Sequence, residues 1–329
     1  MIDGSILVTG GSGFIGKNFI LSIANEFNCH IVNLDSLTYA ACDVDASKMD
    51  DLNYQFIHGS ITDKKLLIEL FSRYKFSAII NFAAESHVDR SIEEPFQFVH
   101  TNVVGTYTLL EVAKDFYMQL DKSNQENFRF IHISTDEVYG SLKPDDLPFE
   151  ESSPFKPNSP YSASKASSDH FVRAYFKTYG LPLITTNCSN NYGPYQHPEK
   201  LTQKIIRNAL LKQPLPIYGD GQQIRDWLYV EDHCSALKHV LQNGAIGCTY
   251  NIGGNNEYSN IELVNIICDF LDHYLPMEEN SSYSQLIEFV KDRPGHDFRY
   301  AINSNKIQKD LNWEPQTLFP DGIIKTVKW

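Results

Sequence analysis

The chain has 329 residues, 42% hydrophobic and 21% charged, an ordinary globular composition with room for two domains or one α/β unit with an elaborated end. A formal net charge of −13 argues against non-specific binding to nucleic acid or to an anionic membrane. Even the apolar run Ser77–Ala84 is too short to span a bilayer.

The first residues run straight into a strand-like segment without a basic n-region or apolar h-region, so no secretory signal is expected. Strand-like runs at Ser5–Thr9, His30–Leu34, Tyr54–His58, Ala78–Phe82, Phe128–Ser134 and near Leu183–Asn187 alternate with helix-like stretches such as Phe14–Phe27, Lys64–Tyr74 and Phe96–Phe116. This βαβ alternation predicts a doubly wound parallel sheet with helices on both faces. After Pro182 turn-rich pieces alternate with helices at Lys200–Leu211 and Asn260–Leu271, which predicts a smaller α/β lobe. The expected division is a dinucleotide-binding domain over 1–187 and a substrate-binding lobe over 188–329. Short strands at Trp227–Val230 and Thr249–Ile252 are expected to return to the first sheet. The six cysteines (Cys29, Cys42, Cys188, Cys234, Cys248 and Cys268) lack C-x-x-C spacing, so a reduced, cytoplasmic setting without structural zinc or disulfides fits best.

Thr9-Gly10-Gly11-Ser12-Gly13-Phe14-Ile15-Gly16 closes the first strand and opens the first helix. In a Rossmann-type turn the first glycine permits the tight bend, the second lets backbone approach a pyrophosphate, and the third allows close helix–strand packing. The helix N-terminus then offers free N–H groups and a positive dipole end to phosphate. Asp35, ending the second strand, suits a ribose diol and repels a 2′-phosphate, which favours NAD over NADP.

Tyr161 and Lys165, at i and i+4, share a helix face, and the pair resembles the Tyr-x-x-x-Lys couple that moves hydrogen in nicotinamide enzymes. A phenol has a pKa of about 10, and a nearby ammonium with the positive nicotinamide ring is expected to bring it toward the working pH. Thr135-Asp136-Glu137 lies just past the C-terminal end of a predicted parallel strand, where open α/β sheets bind ligands. A redox couple beside an extra acid and base suggests oxidation coupled to elimination, as in a sugar dehydratase, where oxidation at carbon 4 would acidify the carbon 5 proton. Glu137 is the candidate base for that proton, and protonated Asp136 the candidate acid for the departing carbon 6 hydroxyl. Thr135 and Tyr161 are expected to steer the carbon 4 oxygen. The two acids need different protonation states, and the sequence does not show what separates them.

The Gly10/Gly13/Gly16 spacing with Tyr161 and Lys165 resembles the extended short-chain dehydrogenase/reductase family. Asn81–Ser91, Cys188–Pro194, Ile224–Trp227 and Asp292–Asp297 further resemble the dTDP-glucose 4,6-dehydratases within it, and the likeness covers nearly the whole chain. It implies NAD contacts from Phe14, Ile15, Asp35, Thr38, Ile61, Ala83, Ala84, Thr101, Tyr161, Lys165 and Asn191, flanked by Ser36, Leu37, Ser60, Phe82, Glu85 and Ser86. Ser60 stands where the family has aspartate, so a modest change in NAD affinity is expected. For the nucleotide-sugar it implies Ser86, Thr135, Asn190, Lys200, Leu201, Pro216, Ile217, Tyr218, Arg225, Asn260, Asp292, Arg293 and His296. Arg225 and Arg293 have the fork geometry for a diphosphate.

The family pairs its long helices about a two-fold axis, so Phe96–Phe116 and Tyr161–Tyr179 imply a homodimer. The chain stops at Trp329, a little short of where such enzymes end. No metal is implied: His87 and His296 have no accompanying ligand cluster. The implied reaction is NAD-dependent conversion of dTDP-glucose to the 4-keto-6-deoxy sugar. A UDP-glucose 4,6-dehydratase is the alternative, since a pocket discriminates a base methyl weakly. A sugar-nucleotide 4-epimerase or UDP-glucuronate decarboxylase has no need of the Asp136-Glu137 pair, and a non-catalytic NAD-sensing scaffold has no need of Tyr161 and Lys165.

Overall fold

Unbroken apolar strand cores such as Ile6-Leu7-Val8 and Ala78-Ile79-Ile80 require a sheet covered on both faces. The computed structural model, which describes residues 4–24, 26–27, 29–42, 53–278 and 281–329, meets that requirement. In chain order the first half runs β1 (Gly4–Thr9), α1 (Phe14–Ile23), β2 (Cys29–Asp35), β3 (Tyr54–His58), α2 (Lys64–Arg73), β4 (Phe76–Asn81), α3 (Val88–Glu93), α4 (Pro95–Phe98), α5 (Thr106–Tyr117), α6 (Lys122–Asn127), β5 (Arg129–Thr135), α7 (Pro160–Tyr179) and β6 (Leu183–Cys188). The second half runs β7 (Asn190–Tyr192), α8 (Leu201–Leu210), β8 (Leu215–Tyr218), β9 (Ile224–Tyr229), α9 (Val230–Asn243), β10 (Thr249–Ile252), β11 (Glu257–Ser259), α10 (Asn260–Tyr274), β12 (Ile287–Val290), α11 (Asn305–Leu311) and α12 (Phe319–Lys328).

Seven parallel strands form the main sheet in the order β10-β6-β5-β4-β1-β2-β3. The chain leaves β1 toward β2 and β3, then crosses to β4 on the other side, so a crevice opens at the strand ends between β1 and β4. Alternate side chains feed different cores. Ile6, Val8, Ile80 and Ile131 pack with Leu237 and Val240 of α9, whereas Leu7, Val32, Ile79 and Phe130 pack with Leu109 of α5 and Val172 of α7. A third core joins Ile205 of α8, Trp227 of β9, Leu263 of α10 and Phe319 of α12. It lies beneath a three-stranded sheet (β11-β9-β7) and a two-stranded one (β12-β8).

Thr249–Ile252 adds to the main sheet beside β6. The strand expected at Trp227–Val230 does not: it is the end of β9, which pairs with β7 and β11, and Val230 already begins α9. The helix expected over 14–27 stops at Ile23, with residue 25 outside the described residues. The single helix expected over Phe96–Phe116 is three pieces, because Val99–Gly105 is a π-helical turn between α4 and α5. Such a turn inserts a residue and rotates the helix beyond it. Here it carries Asn102, whose amide donates to Glu85 O (3.0 Å) and Ser164 Oγ (2.8 Å) and whose oxygen accepts from Glu85 N (2.8 Å).

Two glycines test backbone constraint directly. Gly140 has φ +91°, and a Cβ there would lie 2.4 Å from Lys156 O; Gly180, capping α7, has φ +68° with nothing near. Gly180→Ala is expected to cost about 1–2 kcal/mol from backbone strain alone. Gly140→Ala adds a backbone clash and is expected to cost ~3 kcal/mol or more, so equal urea midpoints for the two variants would refute this account.

Candidate active site

The β1–α1 turn is built around absent side chains. A Cβ on Gly10 would lie 2.6 Å from Ala83 N, and one on Gly16 would lie 2.4 Å from Gly10 O. Gly13 is the N-cap of α1 and supplies no side-chain cap, so the helix presents its N–H groups to the crevice. Asp35 accepts from Ser12 N (2.9 Å) and Leu37 N (2.8 Å), tying the glycine turn to the end of β2. Asn33 completes the tie, accepting from Gly11 N (3.0 Å) and donating to Ser12 Oγ (3.1 Å). These features fit a dinucleotide: a cradle that a Cβ would fill, an uncapped helix end and a carboxylate at the ribose position.

At the end of β5, Thr135 caps a 3-10 turn, Asp136–Tyr139, and its hydroxyl accepts from Glu137 N (3.3 Å). The acids therefore sit in the first turn, Asp136 buried and Glu137 half-buried. Across from them, α7 begins with a Ser159/Ser162 capping box and buries Tyr161 and Lys165. Lys165 Nζ donates to Ile133 O of β5 at 2.7 Å.

The electrostatics separate the two acids. Burial raises the Asp136 carboxyl well above the usual range, and the Glu137 and Asp226 carboxylates raise it further against the opposing Arg225. Burial also raises Glu137, but Arg225, Lys200 and Arg293 all pull it back, with only Asp297 opposing them. Asp136 Oδ2 is buried without a hydrogen-bond partner. Asp136 is thus the better proton holder and Glu137 the better carboxylate. Tyr161 is dominated by burial. Burial, then Glu137 and Cys188, push its phenol well above 10, with the Thr135 hydroxyl pulling the other way. Burial lowers Lys165, with Asp169 and Cys188 raising it.

Nearly every residue singled out in the sequence lines one cleft of about 690 Å³, within the range of ligand-binding sites. Two do not. Leu37 is 46% exposed and contributes only its backbone N–H. Asp292 lies behind His296, accepting from its Nδ1 at 2.7 Å. The cations are also more committed than their residue types suggest. Arg225 donates to Ile224 O (2.8 Å), Phe298 O (3.3 Å) and Asp297 O (3.0 Å) and lies over the Tyr300 ring, so its fork is spent on backbone. Arg293 faces Asp89 (Nε–Oδ1 3.1 Å), and Lys200 Nζ donates to Ser86 O (2.8 Å). Ser60 bridges to the Thr62 hydroxyl (2.9 Å), closing the loop after β3.

Sequence reasoning missed Asn33, Asp89, Glu199, Asp226, Asp297 and Tyr300. Asp226 and Asp297 stand inside the Ile224–Trp227 and Asp292–Asp297 segments, but only the fold shows that they face Asp136 and Glu137. Asn33 was legible as a polar residue between the apolar Val32 and Leu34. Among the described residues no helix is long and apolar enough to cross a membrane, and no group of three metal-ligating side chains occurs.

The model of the family described as GDP-mannose 4,6 dehydratase matches residues 7–326. The chain is 52% identical over 324 residues to a Xanthomonas campestris protein named dTDP-glucose 4,6-dehydratase, covering 98% of this chain and 92% of that one. Its fold is similar to a Streptomyces venezuelae dTDP-glucose 4,6-dehydratase solved with NAD bound, with TM-score 0.87, 44% identity and coverage of 99% and 96%. A Thermotoga maritima UDP-glucose 4-epimerase is similar at TM-score 0.85 but only 25% identity, covering 98% of this chain and 97% of that one. Fold alone therefore does not choose the reaction, whereas shared sequence across the whole length does assign kinship: the chain belongs to the extended short-chain dehydrogenase/reductase family, among its 4,6-dehydratases.

Proposed function

We propose that the protein is an NAD-dependent dTDP-glucose 4,6-dehydratase, a hydro-lyase that forms dTDP-4-keto-6-deoxy-glucose. One observation carries this reading. Asp136 and Glu137 share a crevice with Tyr161 and Lys165 but stand in opposite electrostatic surroundings, one proton-retaining and one cation-flanked. A 4-epimerase or decarboxylase has no use for such a split pair.

The glycine turn, Asp35 and the crevice wall from Phe82 to Glu85 would hold NAD, with Ile61, Thr101 and Asn191 beside them. When bound, NAD supplies the hydride chemistry: acceptance from carbon 4 and return to carbon 6. Tyr161 takes the proton of the carbon 4 hydroxyl, with the Thr135 hydroxyl against the same phenol. Burial raises the Tyr161 phenol, and a cationic nicotinamide beside it would favour the phenolate. Glu137 removes the carbon 5 proton. Asp136 gives its proton to the carbon 6 hydroxyl, which leaves as water, and the proton held by Glu137 returns to carbon 5 as carbon 6 is reduced. Ser86, Asn190, Lys200, Tyr218, Asn260, Arg293 and His296 line the part of the cleft assigned to the nucleotide diphosphate.

The assembly proposed is a homodimer in the cytoplasm. Phe96 (70% exposed), Val99, Val104 and Tyr107 on the α4–α5 segment and Phe171 and Tyr179 on α7 expose apolar surface on neighbouring helices, with the Tyr107 and Phe171 rings 6.0 Å apart. Charging that face with Tyr107→Asp and Phe171→Asp together is expected to give a monomer in sedimentation; an unchanged species would remove this face from the assembly.

Incubation with dTDP-glucose is expected to give a keto sugar lighter by one water, faster than with UDP-glucose. Formation of dTDP-galactose would convert the assignment to epimerase, and equal turnover of both substrates would remove the dTDP preference. Asp136→Asn and Glu137→Gln are each expected to lower kcat about 10²-fold or more. Glu137→Gln should accumulate NADH in a single turnover because carbon 4 is still oxidised; undiminished turnover would take Glu137 out of its role. Because Asp136 acts as its protonated form, turnover of the wild type is expected to fall as pH rises through its elevated pKa.

A further inference from the structure

Beneath the crevice, β5 and α7 meet through polar groups that the reaction steps above do not use. His132 and Ser134 alternate with Ile133 on β5 and point to the same face. Both meet Asp169 of α7. Ser134 Oγ donates to Asp169 Oδ2 at 2.7 Å. His132 Nε2 stands 3.2 Å from Asp169 Oδ1, in charge-contact range but off the line of a full hydrogen bond. The cluster continues inward, with Asn81 Nδ2 3.2 Å from His132 Nδ1 and Thr9 Oγ1 donating to Asn81 Oδ1 at 2.6 Å. His132 is fully buried and Asp169 is 5% exposed. Burial keeps the imidazole neutral, so it does not cancel the carboxylate.

Asp169 lies one helical turn beyond Lys165 and two beyond Tyr161, on the stripe that faces β5. Lys165 is itself 4% exposed, and its ammonium donates to a neutral carbonyl, Ile133 O. A buried ammonium needs a compensating negative charge. The groups acting on it are Asp169 from α7, His132 from β5 and Cys188 from β6, with Tyr161 one turn before it on α7 and Asp136 and Glu137 beyond the end of β5. Burial pushes the Cys188 thiol up to about 12, so it carries no charge at neutral pH. Asp136 holds its proton, and Glu137 already faces three other cations.

We propose that Asp169 is a positioning residue: clasped by Ser134 and His132, it seats α7 on β5 and supplies the buried negative charge that keeps Lys165 an ammonium beside Tyr161. Apolar packing could hold a helix on a strand equally well, so stability alone does not account for a carboxylate here. The proposal rests on the dehydratase reading only in using its first oxidation as the readout.

The test isolates that oxidation in the Glu137→Gln background, where elimination is blocked, by following the single-turnover rate of NADH appearance with dTDP-glucose from pH 6 to about 10. Adding Asp169→Asn keeps the side-chain shape and removes the charge. The alkaline limb is expected to move down by about one pH unit, a rate loss of about tenfold at pH 9 against less than threefold at pH 7. Asp169→Glu, which keeps the charge, is expected to leave the limb in place. Should Asp169→Asn fail to fold, Ser134→Ala is expected to move the same limb the same way by a smaller amount, since the carboxylate loses its aligned donor. An unmoved limb in the charge-removing variant, or in Ser134→Ala where that one does not fold, overturns the proposal. Absence of any NADH signal in the Glu137→Gln parent would instead overturn the dehydratase reading, which keeps the two failures apart.

Discussion

The seating of α7 on β5 is the contact on which the rest of this active centre depends. The helix delivers Tyr161 and Lys165, and the strand ends in Thr135-Asp136-Glu137. Neither group has chemistry without the other within reach. Lys165 Nζ on Ile133 O and Asp169 on Ser134 fix both the height and the rotation of the helix relative to the strand. These bonds are buried, so water does not compete for them, and a slip of one turn would strand an ammonium and a carboxylate in the core. The register is therefore enforced by the penalty of breaking it more than by the strength of any one bond.

The same exclusion of water gives two neighbouring acids different characters. In bulk solvent Asp136 and Glu137 would titrate alike. Inside the crevice burial raises both, and the charges placed beside them then set them apart: Asp226 raises Asp136 further, whereas Lys200, Arg225 and Arg293 offset part of the rise at Glu137. Arg225 acts here mainly through its field, since three backbone carbonyls already occupy its guanidinium. Residues after β6 thus bias the protonation of acids carried by the main sheet.

The cofactor end obeys a different logic, in which space rather than charge decides. Gly10 and Gly16 are required because backbone atoms already fill the positions a side chain would take. Asp35 and Asn33 then hold the turn by accepting from its N–H groups.

The reach of the sequence alone is set by the range of the interactions behind each feature. The parallel sheet, the glycine turn, Asp35, the Tyr161/Lys165 couple and the acid pair were legible because they rest on local pattern: apolar runs, strand–turn–helix spacing and an i, i+4 relation. The π-helical break at Val99–Gly105 was not, because the apolar periodicity continues through it and only the Asn102 bonds to Glu85 and Ser164 explain the extra residue. The end of β9 was misplaced for a related reason: Trp227–Val230 reads as a strand, but its partners lie in β7 and β11, segments too short to announce themselves. What sets the two acids apart and which groups surround Tyr161 and Lys165 were decided by tertiary structure alone. Those properties belong to charges brought together from distant segments into a space without water, and no local stretch of chain contains that information.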